Sequence, residues 1–128
     1  MKKQSQKEYI VIGLGRFGSS IALQLEANSC KVLAIDRNEQ RVRLIADYVT
    51  LAMCLDVAND EALEELGGRN FDGAVISICH SLDASVLATI WAKEQGIGQV
   101  IAKAYDEKQG KILTKIGADK IVLFGGLV

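Results

Sequence analysis

Proline is absent from this sequence, histidine occurs once, and no pair of cysteines has the CxxC spacing. Each absence excludes something. Without proline there is no proline-rich linker, and no low-complexity tract or repeat of roughly 20 to 50 residues divides the chain into modules. One histidine, His80, and three dispersed cysteines, Cys30, Cys54 and Cys79, lack the ligand spacing of a metal centre, so no metal is expected. The cysteines are odd in number, lie in apolar surroundings and follow no signal peptide; they read as reduced thiols of a cytoplasmic protein. No apolar run approaches the roughly eighteen residues of a membrane span, so direct membrane insertion is not expected. The net charge is -1 and the pI near 5.8, which leaves no basic excess for nucleic acid.

What is present is enough apolar content, 49% of 128 residues, to enclose one core. Residues 1–7 carry three lysines and read as a solvated, flexible end; residues 8–128 read as a single domain. Short apolar runs alternate with amphipathic stretches. Strands are expected at 8–13, 31–36, 49–55, 73–79, 99–104 and 120–124, with helices at 16–28, 39–47, 59–66, 83–95 and 107–116. Phe17, Ile21 and Leu25, with Ala22 beside them, form the inward stripe of the first helix. Glycines at 67–68, 96 and 117 stop the third, fourth and fifth helices. Strict strand–helix alternation forces parallel pairing with right-handed crossovers. The fold class is therefore α/β: a Rossmann-type, doubly wound, three-layer fold with a six-stranded parallel sheet in the order 3-2-1-4-5-6.

The first strand runs into G-x-G-x-x-G at Gly13, Gly15 and Gly18. Gly13 permits the tight turn, Gly15 lets the backbone approach a pyrophosphate, and Gly18 lets the helix pack on the strand. The helix amino terminus then faces the phosphates. Asp36 ends the second strand 18 residues past Gly18, where a carboxylate accepts the ribose hydroxyls of adenosine and repels a 2′-phosphate. NADP is thus disfavoured. Arg37 either lies along the adenine face or is a surface cation. Arg16, between the second and third glycines, can meet phosphates bidentately and suits a ligand with more phosphate charge than a dinucleotide, such as ATP or ADP. Asp56 and Val57 follow the third strand, and Cys79 and His80 the fourth; both strand ends should complete the pocket. Lys103 in the fifth strand either reaches phosphate or is a strand-edge lysine. His80 has no committed partner for a base or ligand role, so no catalytic residue is assigned.

A dehydrogenase needs a substrate domain and a proton donor facing the nicotinamide, and six strands consume this chain. The reading is a non-enzymatic nucleotide sensor. The alternatives are an NAD-dependent oxidoreductase fragment, a redox-sensing Rossmann protein, or a degenerate module serving assembly.

The stretches "YIVIGLGRFGSSIALQL", "VLAIDRNEQRV", "LGGRNFDGAVISI", "DASVLATIWAKE" and "KILTKIGADKIV" together resemble the RCK domain, also called KTN. This is the cytosolic nucleotide-binding regulator of Ktr- and Trk-type bacterial potassium uptake systems. The resemblance covers residues 8 to 122, and "GLGRFG" with "KIGAD" is more specific than the glycines alone. It implies binding of ATP, ADP or NAD(H), a homodimer that can build larger rings, a membrane potassium channel or transporter subunit as partner, and a cytoplasmic location peripheral to the membrane. By motif position Gly13, Leu14, Gly15, Arg16, Phe17 and Gly18 would form the phosphate loop, with Arg16 on the terminal phosphates and Asp36 on the ribose. Arg37, Asp56, Val57, Cys79, His80 and Lys103 would line the remainder. The family continues after "GAD.I" with a histidine-proline-glutamate segment and a crossing helix, whereas residues 123–128 here are Leu, Phe, Gly, Gly, Leu and Val. The expectation is an amino-terminal lobe only. In the helix at 83–95, Ala84, Leu87, Ala88 and Trp91 form one stripe with Val86 and Ile90 beside it, and the excess apolar coverage reads as a dimer surface.

Overall fold

A computed structural model of the chain describes residues 6–78 and 80–123, apart from the side chain of Asp60. Strands β1 (Glu8–Ile12), β2 (Lys31–Asp36), β3 (Leu51–Cys54), β4 (Gly73–Ile76), β5 (Gln99–Ala104) and β6 (Lys120–Leu123) form one sheet in the order β3-β2-β1-β4-β5-β6. Every pairing is parallel. Between them run α1 (Arg16–Ala27), α2 (Glu39–Ile45), α3 (Asp60–Glu64), α4 (Leu82–Glu94) and α5 (Glu107–Lys115). The expected fold, strand order and alternation are all present.

The central strands β1, β2 and β4 are apolar on both faces because helices cover both. On one face Ile10, Ile12, Ile35, Ile76, Val100 and Ala102 pack with Leu63 and Leu66, with Ala84, Ala88 and Trp91 of α4, and with Leu113 of α5. On the other, Val11, Val32, Ala34 and Val75 pack with Ala22 of α1 and with Val42 and Ile45 of α2. The second layer stops short. Beyond β4 no described element covers that face, and a groove of about 370 Å³ lies over Val75, Ile101, Val122 and Lys120. Phe17, Ile21 and Leu25 pack against this core layer as the stripe of α1 while their outer sides border the groove, so they are half-buried and Gly18 and Ala22 are the fully buried positions of the helix.

Several boundaries differ from expectation for local reasons. The second helix ends at Ile45 and tightens into a 3₁₀ turn over Ala46–Tyr48, a common way to finish a helix. β4 ends at Ile76 because its neighbour β1 ends at Ile12, the residue opposite; Ser77 N–H still donates to the Ile12 carbonyl at 2.7 Å. The expected strand ends at Cys79 and Phe124 lie outside the described residues. Gly96 and Gly117 take φ of +76° and +123° after α4 and α5, as helix-stopping glycines do.

Asn38, Asn59, Ser81 and Asp106 cap α2, α3, α4 and α5, each side chain accepting an N–H of the first turn. α1 begins on Gly15 with no side-chain cap and no acid in its first turn. It alone among the described α-helices leaves its amino terminus unserved.

Candidate functional site

The site is built where β1 breaks off. Gly13 N–H donates to the Ile35 carbonyl at 2.8 Å, then the chain turns with φ of +99° at Gly13. A Cβ on Gly13 would lie 2.0 Å from the Ser77 carbonyl oxygen, and one on Gly18 would lie 1.8 Å from the Gly13 carbonyl oxygen. Both glycines are demanded by the protein's own packing. Gly15 is different: its φ is -72°, open to any residue, and a Cβ there would meet nothing within 4 Å. Glycine at this position leaves open space directly before an uncapped helix, whose first amides have no intrahelical acceptor. Backbone N–H groups and the positive end of the helix dipole thus face an accessible cradle suited to an anion.

Asp36 ties the turn to the next strand. Its Oδ2 accepts from Leu14 N–H and its Oδ1 from Asn38 N–H, each at 2.7 Å, and the side chain is 7% exposed. Each carboxylate oxygen retains a lone pair for a further donor. Arg41 Nη1 stands 3.8 Å from Asp36 Oδ2.

A crevice over the carboxyl ends of the strands gathers Gly13, Asp36, Arg37, Asp56, Val57 and His80 from the expected set. Val57 is buried on its floor, whereas Arg37, Asp56 and His80 are exposed on its rim. Asp56 Oδ1 also accepts from Ala58 N–H at 3.0 Å, which shapes the loop after β3. Leu14 is buried beneath the turn, Gly15 lies open, and Arg16 is exposed at the first position of α1. Phe17 is half-buried beyond the turn, and Lys103 Nζ sits 5.6 Å from its ring centroid, a cation–π contact on the far side of β4. Lys103 lines a separate small cleft with Ser81, Ser85 and Gln109. Cys79 lies outside the described residues.

Two polar crevice residues lie outside the set expected from sequence. Arg41 sits in the first turn of α2, five residues past Asp36, and only the fold turns it back over that acid. Ser77 was hidden inside the apolar run "GAVISI", where its polar side chain was the sole signal. Among the described residues, no group of three His, Cys, Asp or Glu side chains could hold a metal, and no helix is long and apolar enough to cross a membrane.

Comparison with known proteins agrees with this fold. The TrkA-N domain family matches residues 9–124. The Ktr system potassium uptake protein A of Vibrio alginolyticus is 40% identical over 94% of this chain and 55% of its own length. The Ktr system potassium uptake protein C of Bacillus subtilis is 40% identical over 91% of this chain and 53% of its own. The chain therefore spans about half the length of these relatives. Among solved structures, the RCK domain of GsuK shares the fold, with a TM-score of 0.75 at 21% identity over 95% of this chain and 26% of that one. GsuK has also been solved bound to NAD and bound to ADP.

Proposed function

The chain belongs to the TrkA-N domain family, and on that premise we propose that it is a nucleotide-binding regulator of potassium transport, a switch rather than a catalyst. One observation carries the reading: the open cradle at Gly15, before the one uncapped helix. A fold that demands glycine at Gly13 and Gly18 for itself has no internal use for it at Gly15. The pyrophosphate of ADP, ATP or NAD(H) would rest there, with Arg16 on the terminal phosphates. Asp36 would take the ribose hydroxyls, and Arg37, Asp56, Val57 and His80 would border the adenine side, joined by Arg41. The relatives named for potassium uptake, and a protein of like fold solved with NAD and with ADP, support the same assignment.

Regulation follows from differential affinity, because a ligand shifts an equilibrium only by preferring one state. The proposed states are two arrangements of a homodimer, able to build a larger ring, on the cytoplasmic side of a membrane potassium transporter. We assign the contact between copies to α4, whose Ala84, Ala88 and Trp91 are spent on the core while Leu87 is 36% exposed between half-buried Val86 and Ile90.

Calorimetric titration with ATP, ADP, NADH and NADPH tests the reading. ATP, ADP or NADH should bind, and NADPH at least about tenfold more weakly, because its 2′-phosphate would face Asp36. Arg16→Ala should weaken ATP more than NADH. Failure of all four to bind would end the proposal. The oxidoreductase alternative would show as NADH turnover with a small substrate, and none is expected.

A further inference from the structure

Four polar or charged side chains are buried among the described residues: Asp36, Ser77, Ser85 and Thr89. Three have partners inside the fold. Asp36 accepts two backbone N–H groups, Ser85 Oγ donates to the Ile78 carbonyl at 3.2 Å, and Thr89 Oγ1 donates to the Ser85 carbonyl at 2.8 Å. Ser77 Oγ has none among the described residues, although the residue is only 3% exposed. Buried hydroxyls are seldom left this way, since an unmade hydrogen bond forfeits the solvation the group had in water. Such an exception marks a group reserved for something that is not part of the fold.

The position says what that is. Ser77 is on the wall of the crevice. Its carbonyl lies against Gly13, and its Cβ is 3.4 Å from the place a Cβ would take on Gly18, so the residue sits under both fixed glycines of the turn. Asp36, the group suited to ribose, ends β2 on the other side of β1 and is already fastened to Leu14 and Asn38. In the proposed complex the phosphates, resting on the glycine turn, would pass nearest Ser77.

Resting on the nucleotide reading above, we infer that the Ser77 hydroxyl is a phosphate ligand: sealed from solvent in the fold, it turns about χ1 on binding to donate to a phosphate oxygen of the nucleotide. The hydroxyl has no protein partner among the described residues and gains a phosphate partner in the complex. Its hydrogen bond is therefore made only on binding, and to a charged acceptor, the stronger kind. Ser77 thus adds to affinity without adding to the stability of the empty protein.

That division separates a ligand contact from a structural one. Ser77→Ala keeps the Cβ that packs on the glycine turn and removes only the hydroxyl. ADP affinity by calorimetry and thermal melting of the nucleotide-free protein should be measured for both proteins. The expected result is a Kd for ADP raised about tenfold, with the nucleotide-free variant melting at the wild-type temperature or above it. An ADP Kd within twofold of wild type would overturn the assignment. So would a nucleotide-free variant that melts lower than wild type, which would mean the hydroxyl was already partnered in the fold. If wild-type protein itself bound no ADP, the nucleotide reading would fall, and this assignment with it.

Discussion

Along the amino edge of the sheet, side-chain carboxylates close the backbone. Asp72 Oδ2 accepts from Glu8 N–H at 2.8 Å, where β1 starts. Glu26 at the end of α1 accepts from the backbone N–H groups of Val32 and Thr50 and from the Thr50 hydroxyl, joining α1 to β2 and to the residue before β3. Asp119 Oδ2 accepts from Val100 N–H at 2.8 Å, and Lys93 lies 3.3 Å from the same oxygen. The carboxyl edge is left otherwise. There α1 starts uncapped, the space before Gly15 is empty of protein, and Ser77 Oγ has no partner among the described residues. Because the same chain satisfies its polar groups along the amino edge and caps α2 to α5 at the carboxyl edge, the gap at the glycine turn reflects use rather than poor packing. Buried or terminal amides left open on one edge only are what a bound anion would complete.

This contrast can be broken at either edge. The largest effect should come from Gly18→Ala, whose methyl would lie 1.8 Å from the Gly13 carbonyl oxygen and must push the turn off the sheet. We expect a loss of about 3 kcal/mol of stability, seen as a fall of about 10 °C in melting temperature, together with loss of ADP binding. Gly15→Ala should separate the two properties. Its methyl meets no protein atom and its φ suits alanine, so melting should move by no more than about 3 °C, while the ADP Kd rises at least about tenfold. Equal binding by this variant would mean that the space at Gly15 is not the cradle.

The smallest effect belongs to the amino edge. Asp119→Asn keeps an acceptor for Val100 but loses the charge, and the carboxylate is 40% exposed, so about 0.5–1 kcal/mol is expected, with ADP binding unchanged. The Val100 N–H holds the Asp119 carboxyl below its ordinary range; burial opposes this, and the Lys93 ammonium adds to it through its hydrogen bond and its charge. A carboxylate with a lowered folded pKa stabilises above its unfolded value and loses that contribution as pH falls through the folded one. The melting difference between wild type and Asp119→Asn should therefore be full above about pH 5 and close progressively below about pH 4.

Much of this was legible in the residues. Alternating apolar runs sufficed for six parallel strands and their order, because βα alternation admits few topologies. The glycine spacing and Asp36 were readable because turn sterics and strand-end position are local properties. What periodicity could not tell is whether a second element covers an apolar stripe. Phe17, Ile21 and Leu25 recur every four residues and do pack on the core, yet they stay half-buried at a groove because the helix layer ends at β4. Nor could it separate structural from ligand-facing polar groups. "KIGAD" is as distinctive in sequence as "GLGRFG", but its Asp119 serves Val100 at the amino edge, far from the crevice. Arg41 and Ser77 needed the fold, since each acquires its meaning from a residue distant in sequence or from the absence of a partner.

The central claim is that the glycine turn at the carboxyl edge is completed by a nucleotide, whereas the amino edge is completed by the protein itself. An amide-resolved NMR titration with ADP tests it most directly. The account predicts large shifts confined to the carboxyl edge, in the amides of Gly15, Arg16, Phe17, Gly18 and Ser77. The amides of Glu8, Val32 and Val100 at the amino edge should stay in place. Shifts centred on the amino edge, or none at the glycine turn, would contradict it.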